Sequence, residues 1–374
     1  MKRRQFLKYG SAAIATVGTF SFVAPNARGQ RRPTQRFSLA AVEIFEELID
    51  GEVVMSLAYK DLESGKIRPV LKVQEGETVE IFLENRTRLP VGFQLSGVER
   101  ATIRTIRPDQ TDHVTFDAPT GGTFIYSDPH EAPVHRVLGL HGVMVSVPRT
   151  PDTALGVPTP YSRHEQSLKL QKFFEALGNS VALPGAWDPH DPERQKIWVF
   201  NTIDSRFNRR LEAGTQIRRE EFMSTFTPDY FTLNGLSGYD AAHDYNTVPK
   251  GYLGQPCLIR NVNVGMATHG PHIHGNHVFC LSESGGNAPS QPSDNIVELD
   301  TWLMSPMDRK DLLLPFCKPP DIPENAWPPR QEPFPFKYPM HCHIEMSQTA
   351  AGGNYPQGLV TDWQMLGPHI PNDL

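Results

Sequence analysis

Five histidines and one cysteine stand in two short segments of the second half of the chain. The first reads H-G-P-H-I-H-G, from His269 to Gly275, and the second M-H-C-H-I, from Met340 to Ile344, about 70 residues further on. Extended backbone turns successive side chains to opposite faces. His341 and His343 therefore share one face while Cys342 between them takes the other. The same parity separates His269 from His272 and His274. Two donor sets follow: His269 with Cys342, and the four imidazoles His272, His274, His341 and His343. Thiolate with imidazole is the set that copper electron-transfer centres use, whereas an all-imidazole set suits copper or zinc. A single histidine is usually structural, but five at these parities beside a cysteine point to a metal site.

Short strands must position these residues. From Phe37 to Val147 the chain is a succession of short apolar or alternating runs, such as Val79 to Leu83, His113 to Phe116, Phe124 to Tyr126 and Val143 to Val147, separated by turn residues. Strand signals resume at Ile197 to Phe200 and recur at Tyr230 to Leu233, Cys257 to Val262, Val278 to Leu281, Ile296 to Met304 and Leu359 to Met365. Between them, Pro148 to Gln195 reads as a connector in which Leu168, Leu170, Phe173, Phe174 and Leu177 are spaced for one amphipathic helix. The expected architecture is all-β, two antiparallel sandwiches in tandem, with boundaries at 30–150, 151–195 and 196–374.

The bulk composition agrees. A chain of 374 residues exceeds what one core usually serves. Hydrophobic content of 39% and charged content of 21% are those of an ordinary globular protein. A net charge of -6 gives no electrostatic reason to bind nucleic acid or anionic lipid, so no nucleic-acid partner is expected. The 34 prolines and 29 glycines suit short strands joined by turns.

Residues 1–29 read as an address. Arg3 and Arg4 precede Gln5, Phe6, Leu7 and Lys8, and an apolar stretch follows from Tyr9 to Ala24. This is the pattern of a twin-arginine export signal, with cleavage expected between Gly29 and Gln30. It implies the twin-arginine machinery as a partner, a periplasmic or extracellular location, and no stable membrane insertion after cleavage. In an oxidising compartment a disulfide among Cys257, Cys280 and Cys317 is open, and the spacing does not choose a pair.

The histidine motifs together, H-x-x-H-x-H followed by H-C-H-I, resemble the C-terminal copper motifs of the multicopper oxidases. The resemblance extends to Y-F-T-L-N-G at Tyr230 to Gly235 and I-R-N-V-N-V-G at Ile259 to Gly265. In the first half it includes V-E-I-F-L-E-N at Val79 to Asn85, G-T-F-I-Y at Gly122 to Tyr126 and G-L-H-G-V-M-V at Gly139 to Val145. It implies two cupredoxin-like Greek-key sandwiches. It also implies His269 and Cys342 as type 1 copper ligands, His272 as a type 2 ligand, and His274, His341 and His343 as ligands of the type 3 pair.

The chain departs from that family where its first domain would supply histidines. Gln94 to Gly97 stand in place of H-x-H-G, and Ser127, Asp128 and Pro129 in place of a second H-x-H. Glutamine and serine oxygens are poor replacements for imidazole at copper. His130, His135 and His141 lie nearby and read as structural. The expected second type 1 histidine is Ser347, and an insertion from Gln348 to Pro356 delays Gly358 and Leu359. Met346, His277 and Glu345 are the imaginable stand-ins.

Two functions are open. One is an exported copper-binding oxidoreductase or electron-transfer protein with fewer copper ions than a full multicopper oxidase, zinc being an alternative on the imidazole face. The other is a copper-free or metal-optional structural periplasmic protein on the same fold. Retention of six ligand-type residues favours the first, a copper-dependent enzyme whose electron donor or substrate the sequence does not name.

Overall fold

The computed structural model describes residues 35–180, 182–318, 323–326 and 333–368. The export-signal reading, with Arg3 and Arg4, lies outside the described residues. Within them, strict alternation decides which side chains face inward. Thr78–Asn85 buries Val79, Ile81, Leu83 and Asn85, and Val360–Met365 buries Thr361, Trp363 and Met365.

The first sandwich is built from β1 (Gln35–Glu47), β2 (Val53–Asp61), β3 (Leu71–Gln74), β4 (Thr78–Asn85), β5 (Val91–Leu95), β6 (Thr102–Ile106), β7 (Thr111–Asp117), β8 (Gly122–Ser127) and β9 (His141–Val147). Its sheets run β2-β1-β4-β7 and β3-β9-β8-β5-β6. The second comprises β10 (Gln195–Ile203), β11 (Tyr230–Leu233), β12 (Lys250–Gly251), β13 (Cys257–Asn263), β14 (Pro271–Ile273), β15 (Val278–Ser284), β16 (Pro292–Leu299), β17 (Arg309–Leu314), β18 (Phe336–Cys342) and β19 (Val360–Met365). Its sheets run β11-β10-β13-β17-β15-β16 and β12-β19-β18-β14. The two orders repeat one another, with β14 standing where β5 stands, β18 where β8 stands and β19 where β9 stands.

The sheets are mixed rather than purely antiparallel. β1 pairs β4 and β3 pairs β9 in parallel, as do β10 with β13 and β12 with β19. These partners are separated by an intervening strand or more and meet only after the chain has left the sheet and returned, so no tight hairpin constrains their direction.

α1 (Val134–Val137) lies between β8 and β9 of the first sandwich, and α2 (Leu168–Ala176) lies in the connector. Ser167 caps α2 by accepting from the Leu170 amide, and the helix buries Leu170 and Phe174 while Leu168 stays exposed. Leu170 and Phe174 pack with Leu258, Leu281 and Leu313, so the connector helix serves the second sandwich. The next two helices do the opposite. Phe207 and Leu211 of α3 (Ser205–Glu212) and Phe222 of α4 (Arg219–Thr225) complete the core of the first sandwich.

The sandwiches are joined by a small apolar seam of Ile125, Val143 and Val145 against Val262 and Val264. Beside it, Arg260 donates to Asp311 Oδ2 at 3.0 Å and to Thr123 Oγ1 at 2.9 Å, Thr123 donates to Asp311 Oδ1 at 2.6 Å, and Tyr161 donates to Asp311 Oδ2 at 3.0 Å. These buried groups satisfy one another across the interface, so removing one member strands the rest. All four cysteines are free, buried thiols.

Candidate metal centre

β14 and β18 pair antiparallel, setting His272 opposite His341 and Pro271 opposite Cys342. The two-residue period then puts His272, His274, His341 and His343 on one face and Cys342 on the other. Ring centroids are 4.6 Å apart for His272 and His274, 5.6 Å for His272 and His341, 4.6 Å for His272 and His343, and 5.1 Å for His274 and His341. The four predicted imidazoles therefore form one cluster at the surface.

Backbone and neighbouring side chains hold these rings. His272 Nδ1 donates to the Asp300 carbonyl at 3.0 Å and lies 2.9 Å from Thr301 Oγ1, which leaves Nε2 with its lone pair toward the cluster. Gly275, at φ +73°, ends the segment where any Cβ would fall 2.4 Å from the Tyr338 ring, so glycine is required at this approach. Trp363 Nε1 donates to the His274 carbonyl at 2.7 Å. Burial pushes His274 and His341 below the usual imidazole range, and positive charge on the neighbouring imidazoles adds to it. Neutral imidazole is the form that binds metal.

His274 Nε2 and His341 Nε2 are 3.0 Å apart. Two nitrogens on one tetrahedral ion at the usual bond length stand about 3.3 Å apart, so this pair is spaced nearly as two ligands of one cation. No group of three or more His, Cys, Asp or Glu among the described residues is arranged to hold a metal as it stands. Small ring rotations would have to bring a third nitrogen to the same point.

On the other face His269 and Cys342 are buried, at 0% and 1% exposure, with Nδ1 3.9 Å from Sγ. A sulfur and a nitrogen on one trigonal ion stand about 3.8 Å apart. The Gly270 amide donates to Cys342 Sγ at 3.3 Å. Burial pushes His269 down to about 4, so its ring is neutral near pH 7. Its Nε2 is buried without a hydrogen-bond partner. The donor chemistry on both faces fits copper, and the imidazole face fits zinc as well.

Ser347, at the expected third type 1 position, is buried and spends its hydroxyl on the Ile344 carbonyl at 2.8 Å. Met346 is 54% exposed on a short turn, Glu345 is exposed, and His277 faces Glu298 at 3.2 Å. The insertion turns away from the site. Ala350 packs with Leu48, Val54, Ile203 and Tyr230 at the junction of the sandwiches.

The first sandwich repeats the geometry without the donors. Gln94 pairs Ser127 across β5 and β8, as His272 pairs His341 across β14 and β18. Asp128, at the position of Cys342, is buried and accepts from the Gly92 amide, from the Glu131 amide and from His135 Nδ1 at 2.9 Å. His141 donates from Nδ1 to the Arg136 carbonyl at 2.7 Å, and His130 lies 3.0 Å from Thr105 Oγ1. These three histidines are held within the first sandwich.

No protein-family model matches the chain, and no curated protein does. Solved structures do match. The blue copper oxidase from Nitrosomonas europaea aligns over 88% of this chain and 86% of its own at TM-score 0.63 and 18% identity. A multicopper oxidase, mgLAC, aligns over 91% and 88% at TM-score 0.62 and 19% identity. A copper nitrite reductase from Nitrosomonas europaea aligns over 91% and 95% at TM-score 0.56 and 18% identity. This chain has the multicopper oxidase fold. Within that fold, sequence reasoning missed Gly270, Thr301 and the Asp300 carbonyl, which hold Cys342 and His272. Backbone groups leave no signature in side-chain type.

Proposed function

We propose that the protein is an exported copper-binding oxidoreductase or electron-transfer protein whose metal sites lie in the second sandwich alone. The observation that carries this reading is the pairing of two buried groups, Cys342 Sγ 3.9 Å from His269 Nδ1, under the Gly270 amide. Evolutionary drift to a metal-free core would have no need to keep a neutral imidazole and a thiol together with one ring nitrogen unpartnered, because that arrangement costs free energy without packing gain. Copper held there would supply a one-electron couple. His269 and Cys342 would hold it, and His272, His274, His341 and His343 would hold a second ion on the opposite face.

The protein's own contribution is orientation and exclusion of water. Phe200 and Phe231 pack around His269 with ring centroids 5.7 Å and 6.2 Å away, which keeps that face dry. The imidazole face is open to solvent, and His274 and His343 are exposed on it. Gln94, Ser96, Ser127 and Pro129 give no donors suited to a three-copper cluster, which supports fewer ions than a full multicopper oxidase carries. Export by the twin-arginine route to the periplasm or beyond rests on the R-R-Q-F-L-K string. Among the described residues no helix is long and apolar enough to cross a membrane.

The commitment of Ser347 to the Ile344 carbonyl supports the second reading, a metal-optional structural protein. Metal analysis of the exported protein after copper-replete expression, with an absorption spectrum, separates the two. About one or two ions per chain is expected, and metal-free protein whose thermal stability ignores added copper and zinc would leave the structural reading standing.

A further inference from the structure

A cleft of about 930 Å³ opens between the sandwiches, remote in sequence from the histidine motifs, and its walls are unlike its floor. Leu138, Val143, Ile197 and Val199 give the cleft apolar lining, Glu46, Arg68 and His141 make a polar end, and Asn201 also lines it. The donors at that end are spent. Arg68 gives Nη1 and Nη2 to Glu46 at 2.6 Å and 2.9 Å, Nη2 also to the Leu57 carbonyl and Nε to the Gly139 carbonyl. Asn208, also lining the cleft, gives Nδ2 to the Met55 carbonyl at 2.8 Å.

Acceptors are what remain. His141 is 4% exposed and commits Nδ1–H to the Arg136 carbonyl, so Nε2 carries a lone pair. Asn201 gives Nδ2 to the Val137 carbonyl, and its Oδ1 has no hydrogen-bond partner. Burial costs such acceptors free energy until a donor meets them.

We propose that this cleft is a binding site for a small neutral molecule with an apolar body and a hydroxyl head, the hydroxyl donating to His141 Nε2. The groups at the polar end select a neutral head there, since Lys196 of the lining is already paired with Glu193 and Lys66 is exposed to solvent. Glu46 is already compensated by Arg68, and the buried guanidinium of Arg136, whose Nη1 has no hydrogen-bond partner and whose charge acts on His141, opposes a cation. An anionic head would meet the His141 lone pair instead of a donor. Burial pushes His141 down to about 3, so the ring remains an acceptor through the neutral range.

Calorimetry on the full mature chain with benzyl alcohol, toluene, benzylamine and benzoate tests the site, with ¹⁵N resonances of His141 followed in parallel. Benzyl alcohol is expected to bind roughly tenfold tighter than toluene and than either charged analogue, and to shift the His141 Nε2 resonance. The preference over toluene should fall to near unity in His141→Phe. Where that variant does not fold, the His141 resonance of the parent chain reads the same contact. No binding of benzyl alcohol at tens of millimolar, equal affinity for toluene, or binding that leaves the His141 resonance unmoved would overturn the proposal.

Discussion

His274 Nε2 and His341 Nε2 face each other at 3.0 Å from adjacent strands. Two neutral imidazoles at that distance either share one proton or turn both lone pairs toward a common cation. Burial and the neighbouring imidazoles lower both pKa values, which suppresses imidazolium and keeps both rings in the neutral form that binds metal.

Replacing His274 and His341 together by alanine should remove metal from the imidazole face. Zinc or copper content measured on dialysed protein is expected to drop by about one ion per chain relative to the parent. Unchanged content would place the ion elsewhere.

Cys342→Ser separates the two faces. Where copper occupies the His269 face, a thiolate-to-copper absorption band should be present in the parent and absent in the variant, while metal on the imidazole face is retained. A band that survives the substitution would exclude Cys342 as a ligand.

The interface network gives a stability prediction independent of metal. Asp311→Ala leaves Arg260, Tyr161 and Thr123 without their buried acceptor, so urea unfolding should show a loss of about 3–5 kcal/mol. Asp311 is fully buried and Arg260 nearly so, which is why a surface ion pair is the wrong comparison.

Acid should destabilise the fold through His141. Its folded pKa, near 3, lies below the unfolded value near 6.5, so the unfolded chain takes up the proton first as pH falls. The stabilising contribution is fully present above about pH 6.5 and is lost progressively toward pH 3. His141→Gln is expected to flatten the difference between unfolding midpoints at pH 7 and pH 5. A slope equal to the parent's would mean that His141 is not the titrating group.

Exchanging Arg3 and Arg4 together for lysine should leave the precursor in the cytoplasm, read by cell fractionation. Normal export of the double variant would remove the twin-arginine assignment.

Much of this molecule was legible in its residues because strand parity is a local property. The alternation in V-E-I-F-L-E-N already fixed which side chains of β4 enter the core, and the same two-residue period separated Cys342 from His341 and His343 before any fold was known. The missing donors at Gln94 and Ser127 were legible only through the resemblance to the multicopper oxidases, whose first domain has histidines there. What the sequence could not contain is who meets whom across distance. The parallel pairs β1 with β4 and β10 with β13, the swing of Phe207 and Leu211 back into the first core, and the approach of the Gly270 amide to Cys342 Sγ all depend on closure of the chain over many residues. So does the distance from His269 to Cys342. Parity placed them on one face, but only the packing of β14 against β18 set them 3.9 Å apart, because register between strands is decided by the whole sheet and its core rather than by either segment.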